Sequence, residues 1–489
     1  MRLVRTSCVV VSLVATSTLL GFAGTAGAAT GVQINCSGSG EPAGLVDFDG
    51  DGSADTAVLL PGANNGEGAI EIRDSQTTTL TPGDGLIPAT DGLAQTPSLN
   101  FAVMTINGDS CSDLAVGLPT YGVNGLANVG AVQILFGSKN GFVEGPLLTP
   151  DTNGFPGSAQ ADENFGAALF GSGNFLTIGV PGWSSTVVGV HMSHVGEALP
   201  TEIYSSPDDQ TAVTVYTYAP LRMSSPAPDS RLGAVVGNVA AGAPNASPNG
   251  QLSAGCFVWN GLTHCSKTAG DALGSSIAVL APNEIAVGAP GHSVAVTVRR
   301  HGHSRQRMIK QAGAVEELSV TGSGSKQLIA LQHLVTQASP GVPGVPAAGN
   351  HFGYALSSVE GASSPIAIGI PGMTVNGAAH AGAVAVTNGL SANAHWQLID
   401  RQSPGVDGVP HIADVFGRSV AVTAQGYPGT ASDYLLIVGV PGEAVSGDAT
   451  AGRVQVFVAH GAQVSLTGSQ LLTADAGPQA GARYGAQVA

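Results

Sequence analysis

Nine residues near the N-terminus, Asp47-Phe48-Asp49-Gly50-Asp51-Gly52-Ser53-Ala54-Asp55, place carboxylates at loop positions 1, 3, 5 and 9. The glycines between them permit a tight turn that aims these side chains at one centre. Carboxylates gathered in this way repel one another unless a cation sits among them. Calcium takes six to eight oxygens, so four carboxylates with the main-chain carbonyl of Ser53 at position 7 suit it. An EF-hand would carry a Glu at position 12, but that position is Val58, within an apolar run. A weaker copy follows in Thr105-Ile106-Asn107-Gly108-Asp109-Ser110-Cys111-Ser112-Asp113. There Asn107, Asp109, Asp113 and Cys111, the last at the position where a backbone carbonyl is used, are the candidate ligands, and Thr105 stands where the first carboxylate should be. Calcium in such loops pins a hairpin and does not activate water.

Other groups that could do chemistry are sparse. Arg299, Arg300, Arg305, Arg307 and Lys310 form a basic patch on an otherwise acidic chain, interleaved with His301 and His303. Such a patch either docks an acidic partner or is a solvated loop. His292, His301 and His303 are too loosely placed to argue for a transition metal. Gly291-His292-Ser293-Val294-Ala295 has the outline of a hydrolase nucleophile elbow, but Ala replaces the final Gly and no helix follows. Gly108-Asp109-Ser110 echoes an esterase block but lies inside the second acidic loop. No nucleophile–base set stands out.

The elements that must position these residues come from a repeat. An apolar strand ending in Gly-x-Pro recurs at Gly117-Leu118-Pro119, Gly179-Val180-Pro181, Gly242-Ala243-Pro244, Gly288-Ala289-Pro290, Gly369-Ile370-Pro371 and Gly439-Val440-Pro441, with a degenerate first copy ending Leu60-Pro61-Gly62. Pro lacks the N–H a ladder needs and ends the strand, while Gly allows a tight turn or close packing. An aromatic residue or leucine followed by Gly opens most units, as in Phe165-Gly166, Leu232-Gly233, Leu273-Gly274, Phe352-Gly353 and Phe416-Gly417. A second strand often opens Gly-Ala-Val, as in Gly130-Ala131-Val132 and Gly382-Ala383-Val384. The prolines are 46 to 81 residues apart, room for about four short strands per unit. Such a unit cannot bury its own apolar face, so the seven must stack, and closing the stack removes its ends. The expectation is an all-β, seven-bladed propeller. Tyr484-Gly485 at the C-terminus reads as one more opening, either a closing strand beside the first blade or an incomplete eighth unit.

These phrases in register resemble the FG-GAP repeat family, typified by integrin α-chain heads, over residues 41–489. The resemblance implies a propeller with calcium loops between the first two strands of some blades, which is the type the Asp47–Asp55 loop would represent. Ala43-Gly44 and Phe101-Ala102 depart from the opening pair in the first two units.

Composition agrees. The chain has 70 Gly, 29 Pro and 10% charged residues, so short strands joined by Gly turns are expected over long amphipathic helices, while 43% hydrophobic content sets it apart from a disordered Gly-rich chain. Residues 1–28 have the form of a signal peptide: Arg2 and Arg5, an apolar run, then Ala26-Gly27-Ala28. Residues 29–40 would lead into the propeller, and no membrane anchor is expected. Cleavage leaves 15 basic against 33 acidic residues, a net charge of −18, which argues against nucleic acid as a partner. Four cysteines remain for an oxidising compartment. Three pairings are possible; Cys36–Cys111 and Cys256–Cys265 are expected, the second flanking an Asn260-Gly261 turn signal. The functional expectation is a secreted, extracellular, monomeric module that binds a protein or glycan. The alternative is a secreted hydrolase, esterase- or phosphodiesterase-like, working on the propeller face or in its central channel.

Overall fold

The apolar segments ahead of the Gly-x-Pro turns are strands at the centre of sheets. Thr56–Leu60, Asp113–Leu118, Ala240–Ala243 and Ile366–Ile370 are buried at every residue, as a strand covered on both faces must be. The structure, a computed structural model, describes residues 36, 45–89, 99–106, 109–152, 158–173, 175–182, 186–191, 202–205, 212–214, 216–217, 221–222, 235–237, 240–259, 262–300, 303–322, 327–360, 364–425 and 433–489. Gln33–Ala489 forms one unit; the signal-peptide expectation falls on residues outside the described set.

Six sheets of four or five strands make the blades of an all-β propeller. Helix among the described residues is limited to the 3-10 turns Asn64–Gly66 and Pro248–Gly250, and none is long and apolar enough to cross a membrane. Each blade is an antiparallel meander, as in Val420–Ala424, Asp433–Val440, Arg453–His460 and Gln463–Leu472. Innermost strands touch in succession around the axis: Asn100–Met104, Leu169–Ser172, Val235–Gly237, Ser276–Ala281, Leu356–Ser357 and Val420–Ala424. The seven blades expected from the repeat count are not all met by full sheets, because the first repeat forms only three strands, Thr56–Leu60, Ala69–Arg73 and Thr77–Leu80.

The repeated phrases keep step because they are two halves of one contact. A Cβ on Gly369 would lie 2.2 Å from the Gly417 carbonyl oxygen, and one on Gly288 would lie 2.1 Å from that of Gly353. The Gly-x-Pro glycine of one blade thus packs on the opening glycine of the next, and no larger residue fits. The glycine that starts the third strand makes the second half of the lock, since Gly313 bridges Phe352 and Gly382 bridges Phe416.

At the last blade the same lock runs onto the C-terminus. Gly452 bridges Tyr484, and a Cβ on Gly439 would lie 2.0 Å from the Gly485 oxygen. The chain end then pairs with the first sheet. Val58 bridges Val488, Ala57 N–H donates to Ala489 O (2.9 Å), Leu59 N–H to Gln487 O (3.0 Å) and Ala489 N–H to Ala57 O (3.0 Å). Tyr484-Gly485 is therefore a closing segment and does not begin an eighth unit. It takes the place of the opening pair for the first sheet, whereas Ala43-Gly44 lies outside the described residues. Phe101-Ala102 is not a displaced opening pair either: both residues lie inside the first strand of their blade, opposite Val116 and Ala115.

Both expected disulfides form. Cys256–Cys265 joins directly opposed residues of a hairpin, and Cys36–Cys111 staples the N-terminal lead to the second acidic loop.

Candidate metal centre

The first acidic loop runs from Leu45 into the strand Thr56–Leu60 and is wound around Asp47. Asp47 Oδ1 accepts the N–H of Gly50 (2.7 Å) and of Asp51 (3.2 Å), and Oδ2 accepts that of Gly52 (2.8 Å). The turn requires the positive φ of Gly50 (68°) and Gly52 (88°). Gly50 also admits the disulfide beneath it, since a Cβ there would lie 2.9 Å from Cys111 Sγ. Asp47 N–H donates to Ser112 Oγ (2.9 Å) and Ser112 N–H to Asp47 O (2.6 Å), so the two acidic loops brace each other.

Three of the four expected carboxylates come together. Asp47, Asp49 and Asp51 each offer an oxygen within 4.8 Å of the others; Asp47 and Asp49 are buried and Asp51 is exposed. Asp55 stands in the same charged neighbourhood but turns one oxygen to the backbone, Oδ2 accepting the Phe48 N–H at 2.6 Å. Burial pushes the Asp55 carboxyl up to about 8, against the Phe48 hydrogen bond and with added repulsion from Asp49, Asp47 and Asp74. Burial raises Asp47 as well, opposed by its three backbone donors and reinforced by Asp49. These carboxylates are desolvated, mutually repulsive and short of positive charge. A hard divalent cation would relieve that cost, and Asp47, Asp49, Asp51 and Asp55 with the Ser53 carbonyl are the oxygens that would hold it.

Two participants escaped the sequence reading. Ser75 Oγ donates to Asp49 Oδ2 (2.5 Å), and burial together with Asp49 and Asp51 raises the Asp74 carboxyl. Both sit between Ala69–Arg73 and Thr77–Leu80. The acidic Asp74-Ser75 turn is a signal only once the register is known.

The second loop repeats one element of the first. Asp113 Oδ2 accepts the Ile106 N–H at 2.6 Å, seven residues back, as Asp55 does from Phe48, and its Oδ1 accepts the Gly137 N–H (3.0 Å). The ninth-position carboxylate is thus a strut in both loops. Asp109 Oδ1 accepts the Cys111 N–H (2.9 Å); Asn107 lies outside the described residues. Cys36, Asp109 and Cys111 also gather, but both sulfurs belong to the disulfide and cannot be thiolate ligands.

The remaining candidates are scattered. His292 Nδ1 meets Asp271 Oδ2 (3.2 Å), the same oxygen that accepts Ser266 Oγ (2.6 Å). No serine among the described residues is hydrogen-bonded to His292, so the elbow outline holds no nucleophile–base pair. Arg299 and Arg300 lie on Val294–Arg300, Arg305 and Arg307 on His303–Ile309, with Lys310 just beyond. Comparison with known proteins adds no family: no family model matches the chain, and no curated protein matches it.

Proposed function

We propose that this chain is a secreted propeller of the FG-GAP type with seven blades, that the Asp47–Asp55 loop holds a structural calcium ion, and that the protein works outside the cell as a binding or scaffold module. The seventh blade is the first sheet counted with Gln487–Ala489 as its innermost strand, which brings it to four strands, as in five of the other six. The observation that carries the calcium reading is the convergence of Asp47, Asp49 and Asp51 in a loop whose own N–H groups hold Asp47 in place. Bound there, the ion would neutralise the cluster and fix the loop against the strand that closes the ring. Two disulfides agree with an oxidising compartment.

A binding role is favoured over hydrolysis by what surrounds the axis. Innermost strands enclose a cavity of about 830 Å³. Its serines already serve the backbone: Ser276 Oγ donates to Gly353 O and Ser419 Oγ to Gly485 O, while Ser357 Oγ accepts the Val422 N–H. Arg418, stacked 4.4 Å from the Tyr354 ring, and Glu360 are the charged side chains among the described lining residues. A hydrolase that attacks through a serine needs that serine in contact with a base. This lining supports no such pair.

Thermal unfolding with excess calcium and with a chelator tests the metal reading. Ligand linkage is worth about 2.7 kcal/mol at a hundredfold excess over Kd. The wild type is expected to melt higher with calcium, and Asp49→Ala and Asp51→Ala to lose that response. A wild type indifferent to calcium overturns the assignment.

A further inference from the structure

One blade has a far longer turn between its second and third strands than the others described. From Gly372 to Gly382 and from Gly442 to Gly452 the connection spans ten residues, whereas from Gly291 to Gly313 it spans 22. The extra length is a two-stranded ribbon, Val294–Arg300 paired with His303–Ile309, and among the described residues it pairs with no other sheet. Its base is anchored by Val294, Ile309 and Ala312 packing together, with the half-buried Val296 against them. Every residue from His303 to Met308 is exposed. The blade closes without this insertion, so the ribbon is there for something other than the ring.

Its chemistry is one-sided. Residues 293–312 contain no Asp or Glu and no Phe, Tyr or Trp. The register sets Val296 opposite Arg307 and Val298 opposite Arg305, so Arg305 and Arg307 share a face with the short aliphatic side chains between them. They are about 7 Å apart along the strand. Arg299 lies on the other face, opposite Ser304. None of these arginines makes an ion pair among the described residues. The whole chain carries a net charge of −16. Arg307 and Arg305 stand two and four residues out from Ile309, about 7 and 14 Å along the ribbon, and the screening length at physiological salt is about 8 Å, so Arg305 is the better shielded from the acidic body.

We infer that this ribbon is a docking surface for an anionic polysaccharide, bound through carboxylate or sulfate groups by Arg305 and Arg307. Guanidinium forks match such groups in a bidentate manner. Protein–protein interfaces concentrate their binding energy in desolvated aromatic and arginine anchors, and the ribbon has no aromatic residue to build such a centre. Duplex DNA, with one charge per 1.7 Å or so, would bring many phosphates up to a chain of net charge −16, whereas a glycan with a charge on every sugar or two brings few. The inference rests on the reading of the protein as an extracellular binding module and names the partner class.

The test is titration of the mature protein with heparin and with a polyuronate at low and physiological salt. Comparisons are Arg305→Ala/Arg307→Ala, Arg299→Ala, duplex DNA and poly-glutamate, with melting temperature as the folding control. Binding that weakens with salt, falls about tenfold in the double variant and less in Arg299→Ala supports the inference. No glycan binding, binding unchanged in the double variant, preference for DNA or poly-glutamate, or salt-sensitive self-association through the ribbon overturns it. Calcium-dependent stabilisation is read separately, so the ribbon can fail while the metal reading stands.

Discussion

Removing Gln487–Ala489 is expected to open the ring. The deletion breaks the three backbone hydrogen bonds to Ala57 and Leu59, and with them the bond from Gln487 Nε2 to Phe101 O (2.7 Å) that ties the first sheet to the second. At about 1 kcal/mol net per bond these contribute roughly 4 kcal/mol. Val488, 7% exposed and in one cluster with Val58 and Val454, adds about 2 kcal/mol of burial. The sum, roughly 6 kcal/mol, is a large part of the 5–15 kcal/mol or so that holds a typical domain together. Urea unfolding followed by far-ultraviolet circular dichroism should show the truncated protein largely unfolded, or unfolding at a much lower midpoint and prone to association through the bared edge of Thr56–Leu60. A second variant isolates the buried polar contact beside this seam. Tyr484 is fully buried, donates to Glu71 Oε1 (2.7 Å) and accepts from Arg73 Nε (3.1 Å), so Tyr484→Phe should cost about 1.5–3 kcal/mol, the range for a bond to a charged group. A truncated protein with an unchanged midpoint would refute the closure argument.

Other outcomes follow from the blade contacts and from one acidic pair. Gly369→Ala, whose Cβ would meet the Gly417 oxygen at 2.2 Å, should destabilise by more than about 2 kcal/mol, while Gly389→Ala, with its nearest neighbour at 4.0 Å, should stay within about 0.5 kcal/mol. Equal melting temperatures for the two variants would contradict the interlock. Glu284 is pushed up to about 7, first by its hydrogen bond with Glu317, then by burial and the charge of Glu317. Its folded-state value lies above the unfolded one, so the native state holds the extra proton and stability should fall as pH rises from about 4.5 through about 7. Glu284→Gln should match wild type near pH 5 and exceed it at pH 8; a variant less stable than wild type at pH 8 would reverse the sign. Calcium response lost in Asp49→Ala and ribbon binding lost in Arg305→Ala/Arg307→Ala complete the set.

Sequence alone determined the strand class, the periodic blade units and the hairpin disulfide Cys256–Cys265, and it pointed to the acidic loop that the structure gathers. Each rests on local information: a Pro or Gly at a fixed place in a short apolar run, two cysteines flanking a turn, or carboxylates at alternate positions around Gly50 and Gly52. Tertiary structure decided what depends on the neighbour. The glycine phrases recur in step because Gly288 must clear Gly353, and Gly439 must clear Gly485, across a blade boundary that no single repeat contains. The repeat places the opening of the first sheet at Ala43-Gly44, but the segment that completes it comes from the other end of the chain, Val488 bridging Val58 across 430 residues, because ring closure links residues without regard to sequence distance. The sequence presents the ninth-position aspartates as ligands alone; folding turns Asp55 and Asp113 onto the N–H groups of Phe48 and Ile106, since a buried donor must find an acceptor. Asp74 and Ser75 joined the acidic loop only when strand pairing carried their turn to Asp49. The basic residues were visible as a patch, yet which arginines share a face was set by the pairing register of a ribbon, and that alternation exists only once two strands are aligned.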